Sequence, residues 1–340
     1  MQKIRKAGSL SLPACFQREE VCMHGGHQIQ QKTKAEEKLS YRIIKALKRD
    51  KYLFLLFLPI FIWYTIFMYV PMGGIVVAFK HFQPGAGVYG GEWVGLKWFK
   101  QFFESAYAFR LVRNTFLISL YSLIFGFPVP IIFAICITEI RQPRLRKSIQ
   151  TVSYLPHFIS TVVVVGMIKQ FLALDTGLVN NILEKMGIEQ INFLMKSGWF
   201  RTIYVSSGIW QSFGFSSIIY IAAIIGIDPS LYESARIDGI TKFKEVWYIT
   251  IPMIAPTIII LFILQLGNIM SVGFEKVFLL YNDGILETAD VISTYIYRRG
   301  IGSSDFSFSA AVGLFNSVIN FILVFGANDL CRRVTQTSLW

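Results

Sequence analysis

Charged residues are scarce in this chain of 340 amino acids: Asp, Glu, Lys and Arg together make up 16% of it, whereas 54% is hydrophobic. An ordinary soluble domain carries about 25% charged residues, so this composition excludes a typical soluble fold. Stretches in which apolar and polar residues alternate are also missing, which excludes an outer-membrane β-barrel. The apolar residues are therefore expected to lie in membrane-spanning helices, which pair their backbone groups internally.

Cysteine is also rare, with four residues in the whole chain. Cys15 and Cys22 precede the first apolar block, Cys136 lies inside the second, and Cys331 follows the last. Because none of them falls in a connection predicted to lie outside the cell, the sequence predicts no disulfide framework.

Several catalytic signatures are absent as well. No Gly-x-x-x-x-Gly-Lys-Ser/Thr loop is present to hold nucleotide phosphates, so the chain is not expected to hydrolyse ATP. Gly-x-Ser-x-Gly, His-Glu-x-x-His and an aspartate pair inside an apolar block are missing, which disfavours an intramembrane enzyme. His24 and His27 stand in a polar tail without further ligands, so we predict neither a metal site nor a cofactor.

Six apolar blocks of roughly twenty residues are present, about the length that a helix needs to cross a hydrocarbon core ~30 Å thick. The third block contains Lys169, which interrupts it or marks its outer end by reaching toward the headgroups. The blocks predict an all-α integral membrane protein with six transmembrane helices at residues 52–70, 115–137, 153–172, 200–227, 251–272 and 310–330.

Basic residues are concentrated at three places that an even number of spans puts on one side of the membrane. They precede the first block, fill the second connection and follow the last block: Arg42, Lys45, Lys48, Arg49 and Lys51; Arg141, Arg144, Arg146 and Lys147; Arg332 and Arg333. The positive-inside rule places these segments, and both termini, in the cytoplasm. Residues 1–50 are thus predicted to be a cytoplasmic tail and residues 51–335 a membrane domain. The net charge of +12 reflects this topology and anionic lipid, not nucleic-acid binding.

The connection between the fourth and fifth blocks, residues 228–252, is polar and amphipathic. Asp228 is predicted to cap a short helix that begins at Pro229, and Gly239 to form a sharp turn after it. Small or apolar residues share one face of that helix, and a second amphipathic stretch leads to Pro252: Leu231, Ser234 and Ala235, then Phe243, Val246, Trp247 and Ile251. The pattern alone is compatible with an interfacial anchor or with a docking element for a cytoplasmic partner.

The spacing of this loop resembles a motif of ABC importer permeases: Glu-Ala-Ala, three residues, Gly, nine residues, Ile, one residue, Leu-Pro. The present chain keeps the spacing and departs from the motif only by Ser for Ala and Ile for Leu. In that family the loop is the coupling helix, which docks into a groove on the ATP-binding subunit. The resemblance therefore implies a cytoplasmic coupling helix between spans four and five, with docking residues Glu233, Ser234, Ala235, Asp238, Gly239, Ile249 and Pro252.

Further segments resemble the maltose-type branch of this family that serves oligosaccharides, including alginate or pectin fragments. They lie at residues 93–99, 113–115, 154–160, 273–282 and 294–300. The resemblance implies import of a sugar or oligosaccharide, with four partners besides the lipid bilayer: an ATP-binding subunit, a second permease, an extracellular solute-binding protein and the sugar. An amino acid, polyamine or phosphate as the solute is the alternative within importers, and a passive channel or sensor is the alternative outside them.

Polar side chains inside the predicted spans carry two interpretations. Gln211 with Ser207, Gln265 with Asn268, and Asn316 with Asn320 each lie three or four residues apart and share a helix face. Hydrogen bonding between helices explains such pairs, and so does the lining of a path for a hydroxyl-rich substrate. The residues predicted for a substrate path are Trp210, Gln211, Gln265, Asn268, Asn316 and Asn320.

Overall fold

The computed structural model describes residues 49–335, with side chains to residue 333. Within this range the protein is helical and forms no β-strand beyond one antiparallel bridge between Lys80 and Trp93. The prediction of an all-α protein is confirmed. The two predictions made for the N-terminal tail, on its cysteines and on His24 and His27, concern residues outside the described range.

Five helical segments are long and apolar enough to cross a membrane, and a sharply bent helix pair brings the number to six if the pair is one span. The five segments are Lys51–Phe79, Ala108–Thr138, Ser197–Ile225, Lys242–Leu266 and Phe306–Arg333. The prediction of a multi-pass membrane protein is confirmed, whereas the exact count of six spans stays a prediction.

The chain divides at Gly73 into two units. The first contains helices α1 (Lys51–Tyr64) and α2 (Val70–Met72), joined by a π-helical turn over Thr65–Tyr69. A 3₁₀ segment, Gly73–Phe79, leads into the second unit. That unit contains the helices on which the rest of the description rests, α3 (Lys97–Glu104), α4 (Ala108–Gly126), α5 (Pro128–Thr138), α6 (Pro143–Tyr154), α7 (Thr161–Phe171), α8 (Leu178–Lys185) and α9 (Ser197–Ile225).

The second half of this unit combines two long helices with several short ones. In chain order it contains α10 (Pro229–Ile237), α11 (Lys242–Glu245), α12 (Ile251–Leu266), α13 (Phe274–Leu280), α14 (Leu286–Ala289), α15 (Ile292–Tyr297) and α16 (Phe306–Thr335). A π-helical turn, Val246–Thr250, joins α11 to α12. The wide turn lies where Pro252 has no N–H to continue the regular helical ladder. The helical segment of the fifth predicted span therefore begins at Lys242, earlier than predicted, and ends at Leu266 instead of Val272.

The predicted third span, 153–172, is not one continuous helix. Helix α6 and the 3₁₀ turn Leu155–Phe158 are bent by 98° against α7. Pro156 cannot donate a backbone hydrogen bond, and Ser160 caps the new helix by accepting from the N–H of Val163 at 3.4 Å. The eleven residues of α7 extend over ~16 Å, about half the thickness of a hydrocarbon core.

Helix α9 contacts α4, α5, α6 and α12 and is the centre of packing in the second unit. It approaches α6 closely at Gly214. A Cβ atom built on Gly214 would lie 2.1 Å from the carbonyl oxygen of Ser153, so that a side chain there has no space. The absence of a side chain thus sets the distance between the two helices.

A buried polar cluster joins the start of α4 to α14 and α15. Asp290, 1% exposed in its side chain, accepts from Arg298 at 2.7 Å and forms a second ion pair with Arg110 at 3.5 Å. Asn114 donates to the carbonyl oxygens of Glu287 and Asp290 at 2.8 and 3.1 Å. Thr115 accepts from the N–H of Ile292 at 3.0 Å. The segment 113–115, in which the sequence resembles sugar permeases, therefore fixes the short helices to a predicted span.

Candidate functional site: the docking loop and the α9 cavity

The loop of residues 228–252, the docking loop, begins with a capped helix. The Asp228 side chain accepts from the N–H of Ser230 at 2.9 Å, and Pro229 occupies the first helical position, as the sequence predicts. The same N–H, with a smaller contribution from the Ser230 side chain, holds the pKa of Asp228 below its usual range. The start of α10 is thus fixed before any partner binds.

Gly239 ends α10 with a left-handed backbone, φ +73°. The N–H of Ile240 donates to Ala235 at 3.0 Å, and that of Gly239 donates to Arg236 at 3.1 Å. This is the Schellman arrangement, which needs a positive φ at the glycine position. The predicted turn is therefore present, and a residue with a Cβ would be strained there.

A buried carboxylate holds the two halves of the docking loop together. Glu245, 2% exposed, accepts from Arg236 at 3.1 Å and from Lys242 at 2.8 Å. Lys242 also pairs with Glu139, at the end of α5, at 3.0 Å. The hydroxyls of Tyr232 and Thr250 lie 3.0 Å apart and add a second link between α10 and the turn before α12. The network connects the loop to the ends of two predicted spans.

The outward face of the docking loop combines charge with apolar side chains. Among the predicted docking residues, Glu233, Ser234, Asp238, Gly239 and Pro252 are exposed, Ile249 is half-buried, and Ala235 is buried against the protein. Leu231, Phe243, Trp247 and Tyr248 are exposed, and Ile237 is 87% exposed. The predicted common face of Leu231, Ser234 and Ala235 is thus divided, since Ala235 alone is turned inward. The assignment of these residues to docking stays a prediction.

A cavity of about 640 Å³ lies along α9, between that helix and α4, α5, α12 and α13. We call it the α9 cavity. Apolar residues form much of its wall, and its polar side chains come from four helices: Ser122, Tyr204, Gln211, Ser212, Ser216, Tyr220, Gln265 and Lys276. A smaller cavity of about 210 Å³ shares Ser122, Tyr204 and Gln265 with it. A mostly apolar wall with a few polar groups is typical of a site for a small ligand.

The structure brings together two of the six residues predicted for a substrate path. Gln211 and Gln265 line the α9 cavity, and Asn268 lines the smaller one beside it. Gln211 also donates to the carbonyl oxygen of Ile159 at 3.0 Å, at the bend before α7. Trp210 faces elsewhere and lines a separate, apolar cavity between α7, α8 and α9.

The asparagines of α16 lie apart from these cavities. Asn320 accepts from the N–H of Met270 at 2.9 Å and donates to the Ser271 hydroxyl at 3.1 Å, which ties α16 to the segment after α12. These hydrogen bonds hold a helix to a neighbouring segment, which favours a structural role for Asn320. The side-chain oxygen of Asn316 is buried, and within residues 49–333 no hydrogen-bond partner is found for it.

Lys276 is the cavity residue that the sequence interpretation missed. It belongs to α13, outside the candidate spans, and its side chain is buried. The ammonium donates to the carbonyl oxygen of Tyr204 at 3.1 Å and lies 5.0 Å from the centre of the Tyr204 ring. Burial lowers the pKa of Lys276 to about 8. The signal available in the sequence was a Glu-Lys pair, Glu275 and Lys276, next to an apolar run.

Comparison with known proteins decides the family. Residues 126–336 match the model of the binding-protein-dependent transport system inner membrane component. The chain belongs to this family. Its members are permease subunits and not enzymes, so the predicted family and the absence of an enzymatic role are both supported by the match.

Similar proteins cover almost the same length. Protein LplB of Bacillus subtilis is 42% identical over 295 residues, 87% of this chain and 93% of that protein. The polygalacturonan/rhamnogalacturonan transport system permease protein YteP of the same organism is 42% identical over 88% of this chain and 93% of its own. A chain in the crystal structure of a bacterial alginate ABC transporter, in complex with alginate pentasaccharide-bound periplasmic protein, is 45% identical with a TM-score of 0.80; the alignment covers 87% of the present chain and 99% of that chain.

Proposed function

We propose that this permease carries an oligosaccharide across the cytoplasmic membrane, after an extracellular binding protein delivers it, and that a separate subunit supplies energy by hydrolysing ATP. The observation that carries the proposal is the docking loop, a capped and turned helix with the family's spacing that is joined to two predicted spans. The two termini and the loop are proposed to lie in the cytoplasm, where the basic residues accumulate.

The choice of an oligosaccharide rests on the relatives and on the cavity. YteP belongs to a polygalacturonan/rhamnogalacturonan transport system, and the crystallised relative belongs to an alginate ABC transporter. The α9 cavity offers amides and hydroxyls from Gln211, Gln265, Ser122 and Ser212, which are donors and acceptors suited to sugar hydroxyls. An amino acid or polyamine permease is disfavoured because these relatives belong to transport systems for polysaccharides.

We propose that the buried carboxylate of the docking loop couples movement of a docked partner subunit to movement of the predicted spans. A partner that pushes on Glu233 or Asp238 moves α10, which is bonded through Arg236 to Glu245 and from there to α12. Lys242 extends the same network to Glu139 at the end of α5. Because the buried Glu245 carboxylate accepts hydrogen bonds from both Arg236 and Lys242, the loop and the two spans are expected to move together.

The experiment that tests the function is purification of the permease together with a candidate ATP-binding subunit and a second permease, followed by reconstitution in proteoliposomes. Uptake of an oligosaccharide is expected only with the binding protein outside and ATP inside. ATP hydrolysis by the purified permease alone, or uptake without ATP, would contradict the proposal.

Gly239→Val is expected to uncouple the permease. Valine at φ +73° costs about 1–3 kcal/mol of backbone strain, and nothing lies within 4 Å of the added Cβ, so the effect is confined to the turn. Retention of the ATP-binding subunit and ATP-driven uptake should both fall severalfold, as measured by copurification and transport. Gly187→Val is the matched control: Gly187 has φ +77°, ends α8 with the same bonding pattern and also faces open space. Equal retention in the two variants would show that the loop is a connector only.

A further inference from the structure

The ammonium of Lys276 is a buried cation on the wall of the α9 cavity. It is 8% exposed, and a Cβ built on Gly208, another cavity residue, would lie 3.5 Å from its nitrogen. Its one hydrogen bond in the described part of the chain goes to the Tyr204 carbonyl oxygen. The buried carboxylates of Glu245 and Asp290 each form an ion pair with an arginine. Lys276, in contrast, has no carboxylate within 4.0 Å among residues 49–333.

This arrangement is costly if it serves packing alone. Burial of a cation without a counter-charge is unfavourable, and the depressed pKa of Lys276 reflects that cost. The ammonium has three hydrogens, and the Tyr204 carbonyl oxygen accepts one of them. Two of the three ammonium hydrogens therefore remain for a ligand in the cavity.

More positive charge lies toward the start of α9, at the end opposite the docking loop. Arg201 stands one turn before Tyr204 on the helix and donates to Asn114 at 3.1 Å. The Nε atoms of Arg201 and Arg113 are buried without a hydrogen-bond partner in the described residues. An anion that moves along α9 toward Lys276 thus meets cationic groups first, and low-dielectric walls strengthen their field.

We propose that Lys276 binds a carboxylate of the transported oligosaccharide, so that the α9 cavity selects acidic sugars over neutral ones. The inference rests on the proposed function and specifies its substrate class. A charge-assisted N–H···O bond to the uronate group would supply the missing counter-charge, while Gln211 and Gln265 bond to ring hydroxyls.

The test uses the whole transporter with its binding protein in proteoliposomes and two probes, a galacturonate trisaccharide and its fully methyl-esterified form. Esterification removes the charge and keeps the sugar. Lys276→Met keeps the length of the side chain and removes the charge. We expect uptake of the acid, and its stimulation of ATP hydrolysis, to fall about tenfold or more, because a hydrogen bond to a charged group is lost. Uptake of the ester should change less than about twofold.

Lys169→Met is the matched control, since Lys169 is exposed on α7 and does not line the α9 cavity. It should leave both uptakes unchanged. Unaltered acid uptake in Lys276→Met, or a parallel fall for acid and ester, overturns the inference. If the unmutated transporter takes up the ester or a neutral arabinose trisaccharide but not the acid, the inference is overturned and the proposed function stands. If the unmutated transporter takes up none of the three sugars, the proposed function itself is contradicted.

Discussion

Asp290→Asn should lower the stability of the permease by about 3 kcal/mol, because removal of one member of a buried ion pair leaves its partner uncompensated. Asn has nearly the same size as Asp, so the substitution removes the charge without opening a cavity. The guanidiniums of Arg298 and Arg110 then lose the carboxylate that lies 2.7 and 3.5 Å away. We place the effect at the lower end of the range for buried pairs, since both arginine side chains are about one-third exposed.

The expected structural result is the release of α14 and α15 from α4. Thr294 also donates to Asp290, and the backbone of residue 290 is held by Asn114, so that the carboxylate lies at the junction of three segments. Thermal unfolding of the purified permease in detergent measures the loss. Asp305→Asn is the control: its pair with Arg299, at 3.1 Å, is more exposed and should contribute less than about 1 kcal/mol. Equal shifts in the two variants would show that the Asp290 cluster contributes no more than a surface pair.

Local patterns were enough to predict most of the long apolar helices and the cap and turn of the docking loop. Asp228, Pro229 and Gly239 act within a few residues of themselves, through a cap, a fixed φ and a positive φ, so their roles are visible in the sequence. The bend before α7 has local causes too, in Pro156 and Ser160, but the continuous hydrophobicity of 153–172 masked them. Hydrophobic length indicates membrane insertion and does not by itself indicate a straight helix.

Contacts between distant residues could not be predicted from the sequence. Glu245 and Glu139 are 106 positions apart and meet through Lys242, and Lys276 reaches Tyr204, 72 positions away. On α9, the angular position of a residue around the helix determines which cavity it lines, and its polarity does not. Trp210 and Gln211 are adjacent and therefore about 100° apart around the helix, which explains why they line different cavities.

Gly214→Ala is expected to force α6 away from α9. The added Cβ would lie 2.1 Å from the carbonyl oxygen of Ser153 and 2.5 Å from its carbon, and both are backbone atoms that cannot turn aside. Relief requires a displacement of α6, at a cost of about 1–3 kcal/mol or more for overpacking a tight contact. Gln211 and Phe215, which flank Gly214 on α9, line the cavity, so the displacement should also reduce transport.

The control for this substitution is Gly166→Ala in α7, where the added Cβ meets nothing within 4 Å. Both changes restrict the unfolded chain equally, and a mid-helix Gly→Ala change without a clash stabilises a helix by roughly 0.5–1 kcal/mol. The two variants should therefore shift the unfolding temperature in opposite directions, upward for Gly166→Ala and downward for Gly214→Ala. An upward shift in both would mean that α6 and α9 are free to separate, and that Gly214 does not set their distance.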